Sequence, residues 1–238
     1  MTLLARDAAH AQTLRADGEN RRYLPGVPLD ERVLVTADAA DLEAASEVVV
    51  FAVPSRAMRS TVAAVAGSIP DAAVLRSVAK GIEAGTLLRM TEVIASELPA
   101  GQARVAALSG PNLALEISRG LPAAAVIGAA DDEVSRRAVD ILGGRTFRLY
   151  RNRDVVGVEL AGALKNIVAI VAGAVEELGA GDNAKAAITT RGLAEMTRLG
   201  VAMGANPMTF SGLAGIGDIL ATSTSALSRN HRLGVELA

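Results

Sequence analysis

The chain has 238 residues, half of them hydrophobic, and a net charge of −2. That length allows one large domain or two modest ones with a sizeable core, and the near-neutral balance argues against general nucleic-acid binding, which shows as a basic excess. The absence of cysteine excludes a disulfide framework and thiolate metal sites and suits a reducing, cytoplasmic compartment.

From the N-terminus, short apolar runs alternate with helical patterns. Strands are predicted over Met1–Ala5, Arg32–Thr36, Val48–Val53, Ala73–Val78, Arg104–Leu108, Ala123–Gly128 and Thr146–Tyr150. Helices are predicted over Asp7–Asp17, Ser55–Ser68, Thr86–Leu98 and Asp131–Leu142. Several strand runs, VVVFAV above all, are continuously apolar, as in strands covered on both faces. The alternation predicts an α/β fold, a largely parallel, doubly wound (Rossmann-like) sheet over residues 1–150. After Tyr150 no strand pattern remains. Val155–Leu178 and Ala184–Met203 read as long helices, followed by Pro207–Leu213, a glycine-rich turn and a segment from Ile219 onward. An all-helical second domain over 151–238 is expected, with a ligand cleft between two packed lobes. No apolar run approaches the ~18 residues that suggest a membrane span, and the first residues lack the pattern of a signal peptide.

A dinucleotide-binding lobe should open with strand, G-x-G-x-x-G, helix. Nothing before residue 150 matches. Gly179-Ala-Gly-Asp-Asn-Ala184 fits a looser form, but a helical pattern precedes it, so it reads as a helix–helix turn. Gly212-Leu-Ala-Gly-Ile-Gly217 has the wrong spacing. The first strand ends at Arg6-Asp7. In such lobes the second strand ends with the group that reads the ribose, an acid for the 2′-hydroxyl or Arg for a 2′-phosphate. The simplest account is a chain that begins at the second strand, an incomplete sheet with the glycine loop upstream. Arg6 is then a cofactor candidate; the plain alternative is a solvated strand-end charge.

Of the 24 basic residues only three are lysines, Lys80, Lys165 and Lys185. Lysine can give up a proton where arginine effectively cannot. Lys165 and Asn166 interrupt the apolar helical run VELAGALKNIVAI, among the small residues Ala161, Gly162, Ala169 and Ala172. Small side chains let a ligand or another backbone approach closely, and a buried ammonium is expensive unless it is used. Three segments look like companions. Ser77-Val-Ala-Lys80-Gly81 and Ser109-Gly110-Pro111-Asn112 follow strands, at the end where open α/β sheets bind ligands. Ser228-Arg229-Asn230 opens the last helix, where free N–H groups favour an anion such as phosphate. Asp218, after Gly217, reads on its own as a helix cap. Lys185 reads as a helix-start charge, and Arg191, Glu195 and Arg198 have the spacing of surface ion pairs. His10 and His231 have no ligand spacing, so no metal site is expected.

Several of these segments resemble a known family. Asn20-Arg-Arg-Tyr-Leu-Pro-Gly-Val-Pro, Ala52-Val-Pro-Ser, Ala79-Lys-Gly-Ile-Glu, Leu108-Ser-Gly-Pro, Val156-Gly-Val-Glu-Leu-Ala-Gly-Ala-Leu-Lys-Asn, Gly181-Asp-Asn-Ala-Lys, Thr190-Arg-Gly-Leu-Ala-Glu-Met-Thr-Arg-Leu-Gly, Gly212-Leu-Ala-Gly-Ile-Gly-Asp and Leu227-Ser-Arg-Asn are similar, in order and spacing, to the NAD(P)-dependent glycerol-3-phosphate dehydrogenases. The resemblance covers essentially the whole chain. It implies reversible hydride transfer between NAD(P)H and dihydroxyacetone phosphate, giving sn-glycerol 3-phosphate for glycerophospholipid synthesis. It also implies roles. Lys165 would be the catalytic lysine. Lys80 would touch cofactor and substrate, and Gly110 and Asn112 would form a substrate loop. Ala114 would contact the cofactor, and Asp218 would lie on the substrate side. Ser228, Arg229 and Asn230 would hold the phosphate end, with Arg229 also facing the cofactor, as would Arg6. The cofactor would be NADP or NAD, with Arg6 favouring NADP, and the partner a small-molecule substrate, with neither nucleic acid nor membrane span; a homodimer is compatible.

Asn112 stands where the family usually has Ser or Thr, and the family's glycine loop and final segment are not among these residues. Two alternatives follow: a non-catalytic piece that binds a phosphorylated ligand or a partner subunit, and a sister dehydrogenase acting on a different acid or sugar. The Ser228-Arg229-Asn230 group favours a phosphate-bearing substrate.

Overall fold

The structure, a computed structural model, describes residues 1–43, 47–98, 104–225 and 227–238. Two strands, β1 (Thr2–Leu4) and β2 (Leu34–Thr36), pair in parallel with Leu3 opposite Val35. Five more form a second sheet in chain order: β3 (Val48–Phe51), β4 (Val74–Ser77), β5 (Val105–Ser109), β6 (Ala123–Gly128) and β7 (Phe147–Asn152). Each coincides with a predicted strand, most of them shorter by a few residues, while β7 runs two residues past Tyr150.

The flanking helices are α1 (Ala8–Asp17), α2 (Met58–Val65), α3 (Met90–Glu97), α4 (Ala114–Ser118) and α5 (Asp132–Leu142). α2 and α3 cover one face of the five-stranded sheet, where Met58, Val62, Met90 and Val93 pack on Val49, Phe51 and Leu75. α5 covers the other, with Val134 and Ala138 on Val74, Ala106 and Ile127. Helices on both faces make the sheet doubly wound, and the inner strand β4 is buried along its whole length; the VVVFAV run departs from the expectation, because β3 lies at the sheet edge and leaves Val50 exposed. α1 closes on β1 and β2 through Ala11 and Leu14.

Two details differ from expectation. β5 and β6 run antiparallel. The connection between them holds only the five-residue α4, too short a helix to return the chain for a parallel strand. The helix predicted from Thr86 starts at Met90, because Gly85 (φ 89°) and Leu87 (φ 59°) take left-handed conformations that a right-handed helix cannot contain.

From Val155 onward the described chain is helical: α6 (Val155–Glu177), α7 (Gly181–Ala202), α8 (Pro207–Phe210), a π-helical turn over Leu213–Gly217, α9 (Asp218–Thr224) and α10 (Arg229–Leu237). α7 begins three residues earlier than its pattern suggested, because Gly179 (φ 65°) completes the turn in left-handed backbone. Asp154 caps α6 by accepting from Gly157 N at 2.9 Å. α6 is central, packing on β5 and β6 and on α7, α9 and α10. By length and composition this helix alone among the described residues could cross a bilayer, a departure from the estimate made on runs, and 56% of its apolar window is buried inside the protein. α6 and α10 cross at glycines: a Cβ on Gly173 would run into the carbonyl of His231, and one on Gly234 into that of Ile170. This close crossing brings the start of α10 to the middle of α6.

Candidate active site

The small residues of α6 let its Lys165 face press against the carboxyl ends of β4 and β5. Gly162 lies against Ser109 and Lys80; a Cβ there would collide with Ser109 Oγ and sit 3.5 Å from Lys80 Cγ. Gly110 has φ 134°, and a Cβ on it would come within 3.0 Å of the Ala125 backbone, so the turn after β5 requires glycine. Its carbonyl accepts a hydrogen bond from Lys80 Nζ at 3.0 Å.

One carboxylate gathers both lysines. Asp218 Oδ2 is 2.5 Å from Lys80 Nζ, and Asp218 Oδ1 is 2.8 Å from Lys165 Nζ. Asp218 is 2% exposed and Lys165 7%. Lys165 also donates to Thr222 Oγ1, and Thr222 donates to Asp218 Oδ1 at 3.3 Å. Asp218 is therefore the hub of the cluster: it opens α9 as its first residue, with Gly217 at the cap position. Burial pushes the Lys80 ammonium below its ordinary 10.5; Asp218 opposes that shift and Lys165 adds to it. Two ammoniums against one carboxylate leave a buried excess of one positive charge, a place prepared for an anion.

The phosphate-end candidates adjoin this cluster through α6. Asn230 Nδ2 donates to Asn166 Oδ1 at 2.7 Å, tying the first turn of α10 to the residue after Lys165. Ser228 caps α10 by accepting from His231 N at 3.2 Å. Arg229 is exposed and has no ion-pair partner among the described residues. Asn112 lies in the loop after β5, and its Oδ1, like Ser109 Oγ, is shut from solvent without a hydrogen-bond partner. Buried polar atoms without partners are uncommon and call for one. Ala114 is exposed at the start of α4, in the same connection as Gly110 and Asn112.

The structure thus joins Lys80, Gly110, Lys165 and Asp218 directly, and Asn230 through Asn166. Arg6 stands apart: it follows β1, is exposed, and pairs with its neighbour Asp7 at 3.0 Å. The site also contains Thr222, which sequence reading passed over. Its position four residues after Asp218, on the same helix face, was the available signal. The surface readings agree with the geometry: Arg191 and Arg198 both reach Glu195, and Lys185 binds Glu176 at 2.5 Å.

These residues fit the ends of a nicotinamide dinucleotide better than its middle. The unpartnered Ser109 Oγ and Asn112 Oδ1 lie at the end of β5 and in the loop after it, and Ser109 is pressed against Gly162 close to Lys80. Arg6 follows the carboxyl end of β1. No G-x-G-x-x-G precedes residue 150 to hold the pyrophosphate.

Comparison with known proteins agrees with this geometry. Residues 1–135 match the N-terminal domain of NAD-dependent glycerol-3-phosphate dehydrogenase, and residues 154–238 match its C-terminal domain. The chain is 46% identical over 237 residues to the NAD(P)+ glycerol-3-phosphate dehydrogenase of Streptomyces coelicolor, covering 100% of this chain and 70% of that protein. The corresponding Corynebacterium glutamicum protein is 48% identical over 237 residues, covering 100% and 71%. Among solved structures, glycerol-3-phosphate dehydrogenase from Coxiella burnetii superposes with a TM-score of 0.92 at 38% identity, covering 99% of this chain and 72% of that one. The chain belongs to the NAD-dependent glycerol-3-phosphate dehydrogenase family.

Proposed function

We propose that this chain carries out its family's reaction, reversible reduction of dihydroxyacetone phosphate to sn-glycerol 3-phosphate, with Lys165 as the group that moves the proton. The observation that carries this reading is the buried Lys80–Asp218–Lys165 cluster beside the Asn166–Asn230 bridge. The nicotinamide cofactor, when bound, supplies or accepts the hydride.

The protein's own residues do the rest. As hydride reaches a ketone carbon, negative charge builds on its oxygen, and a cation with a transferable proton meets that charge. Lys165 is that cation, aimed by Asp218 and Thr222. Lys80, whose ammonium releases its proton more readily than an ordinary lysine because it is buried, sets a second cation at the same carboxylate while it is protonated. In the reverse direction Lys165 takes the hydroxyl proton. Ser228, Arg229 and Asn230 at the start of α10 receive the phosphate, where free N–H groups and a guanidinium favour an anion. Gly110, Asn112 and Ala114 border substrate and cofactor on the β5 side. The product is a precursor for glycerophospholipids, the site of action is the cytoplasm, and a homodimer belongs to the same reading.

Turnover of NADPH with dihydroxyacetone phosphate by the chain supports this proposal. Binding of dihydroxyacetone phosphate without cofactor binding or turnover supports instead the reading as a phosphate-ligand binder. Within the first reading NADPH is preferred over NADH because Arg6 lies at the ribose-reading strand end. Arg6→Ala is expected to erase a preference for NADPH measured as the ratio of kcat/KM values; an unchanged ratio removes Arg6 from that role.

A further inference from the structure

Beside β1 lies a recess of about 310 Å³ between α1 and the loop that follows it, lined by Arg6, His10, Arg21, Arg22 and Tyr23 among others. Its charges are unequally committed. Arg21 is taken up by Glu19 at 2.9 Å and Asp17 at 3.6 Å. Arg6 gives its Nε to Asp7, leaving its terminal nitrogens unengaged. Arg22 has no carboxylate within ion-pair distance among the described residues, and its guanidinium lies 5.2 Å from the centre of the Tyr23 ring. His10 Nδ1 is closed to solvent and has no hydrogen-bond partner. The recess therefore holds one guanidinium without a counter-ion, a second with free terminal donors, and an imidazole nitrogen awaiting a partner, at the strand end where open sheets read the ribose.

Resting on the NAD(P) reading above, we propose that Arg22 is a second specificity residue for an adenosine 2′-phosphate, acting with Arg6. Stacking on Tyr23 limits the rotamers of Arg22 and presents its fork of donors to an anion. Arg6 supplies the other side of the clamp. Arg21 has no part in it, because Asp17 and Glu19 already neutralise it.

The adenosine end can be tested alone, without turnover. Adenosine 2′,5′-bisphosphate and adenosine 5′-monophosphate are titrated calorimetrically into the wild-type chain, Arg6→Ala, Arg22→Ala and Arg22→Lys, with circular dichroism to confirm folding. The proposal expects the wild type to favour the bisphosphate, and Arg22→Ala to weaken it by about tenfold or more while leaving the monophosphate unchanged. Arg22→Lys should restore part of the loss. If Arg22→Ala binds the bisphosphate as the wild type does while Arg6→Ala does not, the role of Arg22 is overturned and the NADP reading stands. If Arg22→Ala loses both nucleotides equally, the 2′-phosphate role is likewise overturned. A wild type that binds both equally, or neither, overturns the NADP preference itself.

Discussion

At the scale of single residues, the site is organised by Asp218. It holds Lys165, 53 residues away in sequence, and Lys80, 138 residues away. A buried carboxylate between two ammoniums fixes both nitrogens yet leaves the group net positive, which suits a reaction in which an oxygen gains negative charge. The depressed proton affinity of Lys80 has a consequence for stability. The unfolded chain holds this proton up to its ordinary 10.5, whereas the folded chain releases it at lower pH. Between those two values the unfolded state binds more protons, so stability attributable to Lys80 rises with pH; it is present above 10.5 and lost as pH falls through the folded value. Lys80→Met is expected to flatten that rise. Urea unfolding of both proteins at stepped alkaline pH measures the difference, and parallel curves would contradict it.

At the scale of elements, the crossing of α6 and α10 carries the phosphate-end residues to the lysines. Gly173 and Gly234 allow backbone to touch backbone there, and the Asn166–Asn230 bond fastens the crossing beside the site. Gly234→Ala would drive a Cβ into the Ile170 carbonyl, and no flexible side chain can yield in its place. The expected result is a loss of about 2–3 kcal/mol in stability, read by urea unfolding, with a raised KM for dihydroxyacetone phosphate. Unchanged stability and KM would show that the crossing does not position the phosphate group. Most elements were legible because their periodicity reports burial, but the uninterrupted VVVFAV run misled on one point: it forms the edge strand β3, which buries Val49 and Phe51 and leaves Val50 exposed, whereas β4 is buried along its whole length. The start of α3 was less legible, because the left-handed backbone at Leu87 is set by its turn and has no composition signal. The antiparallel β5–β6 seam depended on how little of the connection forms helix. Lys165, Lys80 and the Ser228 group stood out as residue types out of place in their segments. The joining of both lysines on one carboxylate was invisible, because no local pattern encodes a contact across 138 residues; Asp218 alone looks like a cap.

At the scale of the whole molecule, a two-stranded parallel sheet, a five-stranded mixed sheet and a set of helices make up the described chain. β1 and β3 each hydrogen-bond to a neighbour on one side only among the described residues, while Leu4 of β1 packs against the core that includes Val49 and Phe51 of β3. One buried charge in this sheet serves no purpose in the site. Arg76, in register between Val50 and Ala106, is 1% exposed, and its Nε and Nη2 have no partner. Burial pushes its guanidinium down to about 10, still charged at neutral pH. Replacing an uncompensated buried charge with an apolar chain of similar length should stabilise the fold, so Arg76→Met is expected to gain about 1–3 kcal/mol at pH 7. Chemical denaturation measures it, and a destabilised variant would mean that the guanidinium is satisfied in solution.

The most direct measurement of the central claim is the rate of dihydroxyacetone phosphate reduction by Lys165→Met beside the wild type, with folding verified by circular dichroism. If the buried amine on α6 relays the proton, the folded variant loses about 100-fold or more in kcat. A folded variant that turns over within a few-fold of the wild type would contradict it.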